Sequence, residues 1–388
     1  MSDTTTAIDR RMLDLAARAA WRGIGDVEPN PTVGCVIGTR DGGVLGVGHH
    51  RRFGGAHAEV DALRRCEALG NSTDGATAWV TLEPCNHTGK TPPCSRGLIE
   101  AGITSVVIAQ REPGDVAAGG AEAMRQAGLD VRFSDASKKA AALNRPYVKR
   151  MTTGMPWVIA KWAQTIDARI ATRTGESQWI SNERSRAEVH RLRSRIDVLM
   201  TGVGTARADD PSLTVRGVSR ARRTPTRLVI DPTLRTPTGS KLVRTAREVP
   251  TMIACEPLGS DAVQARSAEL QAAGVTILPT ARSGARLDLG SLLRTLASEH
   301  DAANVMVEAG PGLMGSLLRE GLIDEYWVFS APMLLGDPEA MPAVRAGAAP
   351  RLADAHRLAL HRVRRFGDDA LLIYRKPPES SAGVSEPS

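Results

Sequence analysis

The 388-residue chain is 42% hydrophobic and 24% charged, which excludes a disordered or collagen-like chain and leaves room for two globular cores. A formal net charge of +7 favours anionic partners, either nucleic acid or a small phosphorylated metabolite. Aromatic residues at 3% argue against a surface that stacks many exposed bases.

Five cysteines, an odd count in a long chain, do not form a disulfide framework. No apolar run reaches the roughly 18 residues of a membrane span, and the opening MSDTTTAIDRR lacks the apolar core and small-residue cleavage site of a secretory leader. The expected compartment is therefore the cytoplasm. In chain order, a helix is expected from Ile8 to Trp21, with Met12, Leu13, Leu15 and Ala16 as its apolar stripe. The turn Pro29-Asn30-Pro31 follows, and then a hairpin of Val33–Ile37 and Val44–Gly48 around Asp41-Gly42-Gly43. A helix over His57–Leu69, a strand over Ala76–Leu82, a helix after Cys94 and a strand over Ser105–Ala109 complete an alternating α/β pattern.

Residues 137–155, with Pro146, Gly154 and Pro156, read as a connection. The expected division is a first domain over 1–150, a second over 151–378 and a disordered tail over 379–388, where Pro, Ser and Glu dominate. Strands of the second domain are expected at Trp157–Trp162, Val198–Thr201, Arg227–Asp231, Thr251–Cys255, Asn304–Glu308, Tyr326–Ser330 and Ala370–Tyr374. Its helices are expected at Glu183–Ser194, Asp261–Ala273 and Leu287–Glu299. No internal repeat joins the two halves, so two different folds are expected.

The chemistry is densest in the first half. His57-Ala58-Glu59 is followed by Pro84-Cys85 and then by Cys94. A hydrolytic zinc site takes three protein ligands and leaves one position for water, and His57, Cys85 and Cys94 supply that set. Glu59, two residues after the histidine, can shuttle a proton without ligating the metal. Zinc nucleobase deaminases use this order of residues, with the glutamate as general acid and base. The eight residues from Asn86 to Pro93 between the cysteines depart from the short spacing of that motif. Cys35, Cys66 and Cys255 read as small buried hydrophobes. His49, His50 and His87 read as substrate-side or surface residues rather than ligands.

Three segments carry a specific resemblance: Pro29-Asn30-Pro31-Thr32-Val33-Gly34-Cys35, His57-Ala58-Glu59-Val60, and the run from Thr81 through Glu83-Pro84-Cys85-Asn86-His87 to Thr91-Pro92-Pro93-Cys94. They resemble the deaminase half of the bifunctional deaminase/reductase family of riboflavin biosynthesis, in which the long loop between the cysteines is usual. The resemblance implies a three-layer, cytidine-deaminase-like domain with zinc, in which Asn30 contacts the pyrimidine nucleotide.

The second half carries softer signals. Val305-Met306-Val307-Glu308 runs into Ala309-Gly310-Pro311-Gly312 and a helix, a turn whose backbone N–H groups could approach a phosphate. The dinucleotide fingerprint G-x-G-x-x-G is absent after the first strand of this half. Lys161, Arg193 and Arg216 could together bind an anion, although each alone also reads as a surface charge. The dense run Arg216, Arg220, Arg222 and Arg223 reads as a solvated loop.

Lys161 with Ile166-Asp167-Ala168-Arg169, then Gly175 to Ile180, then Ala208-Asp209-Asp210-Pro211-Ser212-Leu213-Thr214-Val215-Arg216, then Val307-Glu308-Ala309-Gly310-Pro311, resemble the reductase half of the same family. That half is similar to dihydrofolate reductase in fold, and the similarity spans roughly residues 7 to 376. It implies that Ser177, Arg193, Leu213, Arg216 and Glu308 hold the substrate. It also implies that Ala163, Trp179, Thr205, Asp209, Gly310, Pro311, Gly312, Leu313, Met314, Gly315 and Ser316 hold NADPH, with Lys161 and Asp209 as catalytic groups beside the reacting ribose.

The implied partner is a small phosphorylated pyrimidine, with neither nucleic acid nor membrane, and the implied assembly is a homodimer. Three positions depart from the family: Ala56 stands where proline is frequent, Ala168 where glycine is usual, and Pro232 where some relatives contact the cofactor. The last two motivate an alternative, a deaminase-only protein or a secondary-metabolism paralogue with an altered second half. A nucleic-acid-editing deaminase would instead bind RNA or DNA with steep salt dependence. A non-catalytic binding protein is disfavoured by the intact Glu59.

Overall fold

The computed structural model describes residues 3–87, 92–115, 117–219, 221, 223–345, 349 and 351–377. The expected tail at 379–388, Arg220, Arg222 and the Thr88–Thr91 part of the inter-cysteine loop lie outside the described residues. The chain divides into two compact units, Met1–Met155 and Pro156–Ser388.

In the first unit the elements are α1 (Asp3–Ala20), β1 (Gly34–Gly38), β2 (Val44–His49), α2 (Ala58–Ala68), β3 (Thr77–Val80), α3 (Cys94–Glu100), β4 (Ser105–Ile108), α4 (Gly120–Gln126), β5 (Asp130–Phe133), α5 (Lys138–Leu143) and α6 (Arg145–Thr153). The five strands order as β2-β1-β3-β4-β5. β1 runs antiparallel to β2 and β3, whereas β3, β4 and β5 are parallel. Alternation along the strands sends Cys35, Ile37, Ala78, Val80, Val106 and Ile108 to one face, where they pack with Ala58, Ala62 and Cys66 of α2, Leu98 of α3 and Met124 of α4. Val36, Trp79 and Val107 point to the other face and meet Met12, Leu13, Ala16 and Ala17 of α1 and Ala140 of α5. Three layers result, each strand pair covered on both sides. Helix α2 lies against β2 so closely that a Cβ on Gly48 would sit 2.2 Å from the Ala62 nitrogen.

The second unit contains β6 (Trp157–Gln164), β7 (Arg169–Ala171), α7 (Glu183–Arg193), β8 (Val198–Gly202), α8 (Val203–Asp209), β9 (Thr226–Ile230), α9 (Lys241–Arg244), β10 (Thr251–Cys255), α10 (Asp261–Ala272), β11 (Thr276–Pro279), β12 (Arg282–Ser283), β13 (Arg286–Leu287), α11 (Leu289–Glu299), β14 (Asn304–Val307), α12 (Pro311–Arg319), β15 (Glu325–Ser330), β16 (Met341–Pro342), β17 (Ala359–Phe366) and β18 (Asp369–Arg375). Nine strands form one sheet in the order β11-β10-β9-β8-β14-β6-β15-β18-β17. The first seven are parallel, and β18 and β17 close the edge antiparallel. Both faces of the central strands are buried: Leu199, Val229, Ile253 and Met306 in one core cluster, and Met200, Leu228, Ala254, Val305 and Val307 among the other fully buried residues. That explains why these strands read as continuous apolar runs rather than alternating ones.

The sequence reading missed α4, β5, α8 and the short β7, α9, β11, β12, β13 and β16, which are brief segments with little periodicity. It also missed β17, an edge strand rich in arginine whose residues are mostly exposed. The dense arginine run is not simply a solvated loop. Arg223 pairs with Asp197, and Arg216 lines a cavity.

Between β6 and β7 the chain turns over Ile166, Asp167 and Ala168. Thr165 N–H donates to the Arg169 carbonyl at 2.9 Å, and Ala168 N–H to the Thr165 carbonyl at 3.0 Å. Asp167 accepts from Thr165 Oγ1 and from the Gly336 amide, bonds that hold its carboxyl down at about 2. A three-residue hairpin loop of this kind ends on a left-handed residue, and Ala168 has φ +59°. The departure from glycine thus places a Cβ in the left-handed region, at a cost of roughly 1 kcal/mol. Ala168→Gly is expected to raise the Tm of the second unit by about 2–4 °C, measured by scanning calorimetry. An unchanged or lowered Tm would refute this account of the turn.

Candidate active sites

Three elements converge on one point in the first unit. His57 is the N-cap of α2 in an extended conformation, Cys85 lies in the loop after β3, and Cys94 opens α3. The loop can carry Cys85 there because Gly120 admits the Pro84 carbonyl, which would stand 1.8 Å from a Cβ. His57 Nδ1 lies 3.5 Å from Cys85 Sγ and 3.3 Å from Cys94 Sγ. All three donor atoms fall within 4.8 Å of one another. One imidazole and two thiols at that spacing fit tetrahedral zinc with a fourth position left for water.

The groups polarise one another. Hydrogen bonds from Cys94 and His57 hold the Cys85 thiol well below the usual thiol range. The bond to Cys85 in turn raises His57. Glu59, in the first turn of α2, is 3% exposed, and burial pushes its carboxyl up to about 7. A dication at the ligand set would oppose that rise.

His50, set aside as a substrate-side or surface residue, is buried and placed with purpose. Its Nδ1 donates to the Ala56 carbonyl at 2.9 Å, which presents Nε2 as an acceptor toward Asn30 Nδ2 at 3.5 Å. Its ring stands edge-on to His57 at 5.4 Å. Glu83 anchors the loop behind Cys85 by accepting from the Ala121 and Glu112 amides. His49 faces Asp61. Cys35, Cys66 and Cys255 are buried and free.

In the second unit a cavity of about 1150 Å³ opens at the carboxyl ends of β6, β14, β8 and β9. Parallel strands expose their carboxyl ends along one edge, where ligands of open α/β sheets bind. Lys161, Ala163, Ser177, Trp179, Arg193, Thr205, Asp209, Leu213, Arg216, Glu308, Gly310, Pro311, Gly312, Leu313 and Ser316 all line it. Met314 and Gly315, both buried in α12, are not among the residues that line it. Pro232 lines the cavity and offers only its ring there, its carbonyl being taken by the Glu256 amide.

Glu308 is the electrostatic centre of this cavity. Its carboxylate accepts from Arg193 Nε at 2.6 Å and from Lys161 Nζ at 3.4 Å. Although burial alone would raise it, these two cations hold its carboxyl at about 2. Its backbone is fixed by bonds from Thr201 Oγ1 to its carbonyl and from its amide to the Met200 carbonyl. The turn that follows is set by Thr205 Oγ1, which accepts the Gly310 amide at 3.1 Å. A Cβ built on Gly204 or Gly312 meets no protein atom within 4 Å. Both glycines line the cavity, leaving open backbone where a dinucleotide could lie.

Trp179 is 62% exposed and carries the Arg186 guanidinium 4.6 Å from its ring. Sequence reasoning missed Arg186, His190 and Arg227. The first two share the motif-poor helix α7, and the third sits inside a strand, so no spacing signal marked them.

Residues 6–110 match the cytidine and deoxycytidylate deaminase zinc-binding region, and residues 156–372 match the RibD C-terminal domain. The riboflavin biosynthesis protein RibD of Actinobacillus pleuropneumoniae is 38% identical over 370 residues, covering 95% of this chain and 96% of the relative.

The chain belongs to the RibD family.

The Escherichia coli and Mycobacterium tuberculosis RibD proteins are 38% and 37% identical, over 94% of this chain in each case and 98% and 96% of theirs. RibD of Acinetobacter baumannii superposes with a TM-score of 0.84 at 34% identity, over 96% of this chain and 100% of that one. A deaminase/reductase from Thermotoga maritima superposes at 0.82 with 28% identity, over 96% and 99%. As a RibD protein the chain is a bifunctional deaminase and reductase of riboflavin biosynthesis, with zinc and NADPH as cofactors. Its fold is a cytidine-deaminase-like domain followed by the RibD reductase domain.

The ionic arrangement of this RibD reductase cavity makes a pH-dependent prediction. A carboxyl depressed in the folded state contributes stability that is present above its ordinary value of 4.5 and lost as pH falls through about 2. Glu308→Gln leaves Arg193 and Lys161 without their counter-charge, a loss of about 3–5 kcal/mol at neutral pH. In urea unfolding at pH 7, 5, 4 and 3, the gap between wild type and Glu308→Gln should be constant down to pH 5 and narrow below it. A gap independent of pH would contradict the ion-pair reading.

Proposed function

We propose that the N-terminal unit deaminates 2,5-diamino-6-ribosylamino-4(3H)-pyrimidinone 5′-phosphate and that the C-terminal unit then reduces the ribosyl group of the product to a ribityl chain. The Thermotoga maritima relative is named as a diaminohydroxyphosphoribosylaminopyrimidine deaminase and 5-amino-6-(5-phosphoribosylamino)uracil reductase. The observation that carries the reading here is Glu59, buried two residues from His57 and hydrogen-bonded to Cys94 of the His57, Cys85 and Cys94 cluster.

His57, Cys85 and Cys94 would hold zinc, which supplies an activated water at neutral pH. Glu59 takes the proton of the attacking water and returns it to the exocyclic nitrogen, which leaves as ammonia while the ring carbon becomes a carbonyl. Asn30, oriented by His50, contacts the pyrimidine nucleotide.

In the second unit NADPH would supply hydride for C1 of the ribosylamino group. Ala163, Trp179, Thr205, Asp209 and the turn Gly310, Pro311, Gly312, Leu313 with Ser316 line the space for it. Ser177, Arg193, Leu213, Arg216 and Glu308 position the substrate, and Arg216 meets its phosphate. Lys161 and Asp209 act beside the reacting ribose, Lys161 with its ammonium oriented by Glu308. Reduction needs donor and acceptor held close and aligned, which a rigid ionic set at strand ends provides. The substrate phosphate accounts for the cationic cavity without nucleic acid.

In a coupled assay on the zinc-loaded protein, ammonia release and loss of absorbance at about 340 nm should both appear. Glu59→Gln should lower ammonia release by at least about 100-fold and leave reduction of the deaminated substrate intact. Lys161→Ala should do the reverse, and a zinc chelator should mimic Glu59→Gln. Ammonia release without NADPH oxidation would mean that the second unit has lost its chemistry.

The assembly proposed is a homodimer acting in the cytoplasm. No helix among the described residues is long and apolar enough to cross a membrane. Strand β17 is the outermost of the nine strands among the described residues, with Leu360 and Val363 each 56% exposed, a surface that pairing would cover. Light scattering should give twice the 41.3 kDa chain mass, and Val363→Arg should shift it toward the monomer. A monomeric wild type would rule the dimer out.

A further inference from the structure

The segment from Asp209 to Arg216 supplies six cavity-lining residues, Asp209, Asp210, Pro211, Ser212, Leu213 and Arg216. Two of its residues adopt backbone that a side chain disfavours: Asp210 at φ +39° and Leu213 at φ +47°. Such conformations persist only where surrounding contacts over-determine them. Four bonds do so here. The Lys241 amide donates to Asp210 Oδ1 at 2.7 Å. Arg227 Nη1 donates to the Ser212 carbonyl and Arg193 Nη1 to the Thr214 carbonyl, both at 3.1 Å. The fourth bond runs the other way: the Arg216 amide donates to His190 Nδ1 at 3.3 Å.

This last bond needs an acceptor placed among cations. His190 lies on α7 three residues before Arg193, so the two side chains share one face of the helix, and His190 also lines the cavity. A carboxylate in its place would accept the same bond but would add a negative charge beside Arg193 and Arg216, cancelling the field that draws an anion. An imidazole accepts without adding charge. Burial, with Arg193 and Arg216 nearby, pushes His190 down to about 4, against smaller opposing effects of Glu308 and the Thr214 carbonyl. It is therefore uncharged at neutral pH.

We propose that His190 is a positioning residue, a neutral acceptor that fixes the Arg216 backbone at the cavity mouth and thereby sets the reductase preference for a phosphorylated substrate. The inference rests on the reading that Arg216 meets the substrate phosphate.

The test measures KM and kcat of NADPH-dependent reduction in the full-length zinc-loaded protein, using 5-amino-6-ribosylaminouracil with and without its 5′-phosphate. His190→Ala should raise KM for the phosphorylated compound about tenfold, the upper worth of one hydrogen bond. The kcat should stay within about twofold, and KM for the unphosphorylated compound should hardly move. His190→Asn, whose side-chain oxygen can accept the same bond without charge, should restore wild-type KM. His190→Asp keeps an acceptor but adds charge, and should lose the phosphate preference as His190→Ala does.

Equal rises in both KM values, a fall in kcat at constant KM, or an Asp variant that performs as well as Asn would overturn the inference. Arg216→Ala is the control. If it abolishes the phosphate preference while His190→Ala does not, the role given to His190 is wrong. If Arg216→Ala leaves the preference intact, the assignment of Arg216 to the phosphate fails, and the role of His190 falls with it. Tryptophan fluorescence titration with NADPH reports on folding independently. Unchanged NADPH affinity in the His190 variants is expected, and a parallel loss of it would show a general collapse of the cavity and overturn the positioning role.

Discussion

Parallel strands bring the carboxyl ends of neighbouring segments to one edge of a sheet, and both sites of this RibD protein are built on that constraint. In the N-terminal unit β3, β4 and β5 are parallel, and the chain leaving β3 carries Cys85 to the start of α3 and to His57 at the start of α2. In the C-terminal unit β6, β14, β8 and β9 end side by side. Lys161 therefore faces Glu308, and the Gly310 turn lies next to Thr205. Residues 147 and 105 positions apart become hydrogen-bond neighbours because adjacent strands are separated by only about 4.8 Å.

Charge is handled differently at the two sites. The deaminase site gathers three acids, the buried Glu59 and Cys94 and the half-buried Cys85, whose charges oppose one another without a cation, so the donor set itself calls for a metal. The reductase site balances one carboxylate against two cations. Glu308 is fully committed to Lys161 and Arg193, which fixes both side chains in position while the net charge of the trio remains positive. A cavity with that balance suits an anionic substrate and keeps the lysine ammonium aimed into the space beside the strands.

Backbone strain has two meanings in this molecule. At Ala168 it falls in a hairpin turn outside the cavity lining, and nothing in the surrounding hydrogen bonds uses it. At Asp210 and Leu213 it falls in the loop that shapes the cavity, where Arg227 supports it from within the core. That arginine is fully buried. Its charge is dispersed over the carbonyls of Ser212, Leu242, Thr245 and Val249 and the hydroxyls of Thr245 and Thr251. Burial pushes it down to about 10. A rigid polar scaffold of this kind holds a strained loop without help from the ligand.

The amino-acid sequence alone determined the family, the zinc ligand types with their glutamate, and the buried parallel strands, because each depends on residue type at short spacing or on long apolar runs. The long inter-cysteine loop and the resemblance over both halves carried the assignment of two activities. Other features depended on three-dimensional packing. Whether Ala168 was harmless turned on a backbone angle, and the turn puts it at φ +59°. His50, His190 and Arg227 gained their roles from partners 20, 26 and 15 residues away, a distance at which no local pattern signals contact. Met314 and Gly315 came into the cofactor set with their neighbours in sequence, and both are buried in α12 outside the cavity lining. Periodicity and motif are local properties, whereas the direction of a side chain at a strand end or helix face is settled only when the elements pack.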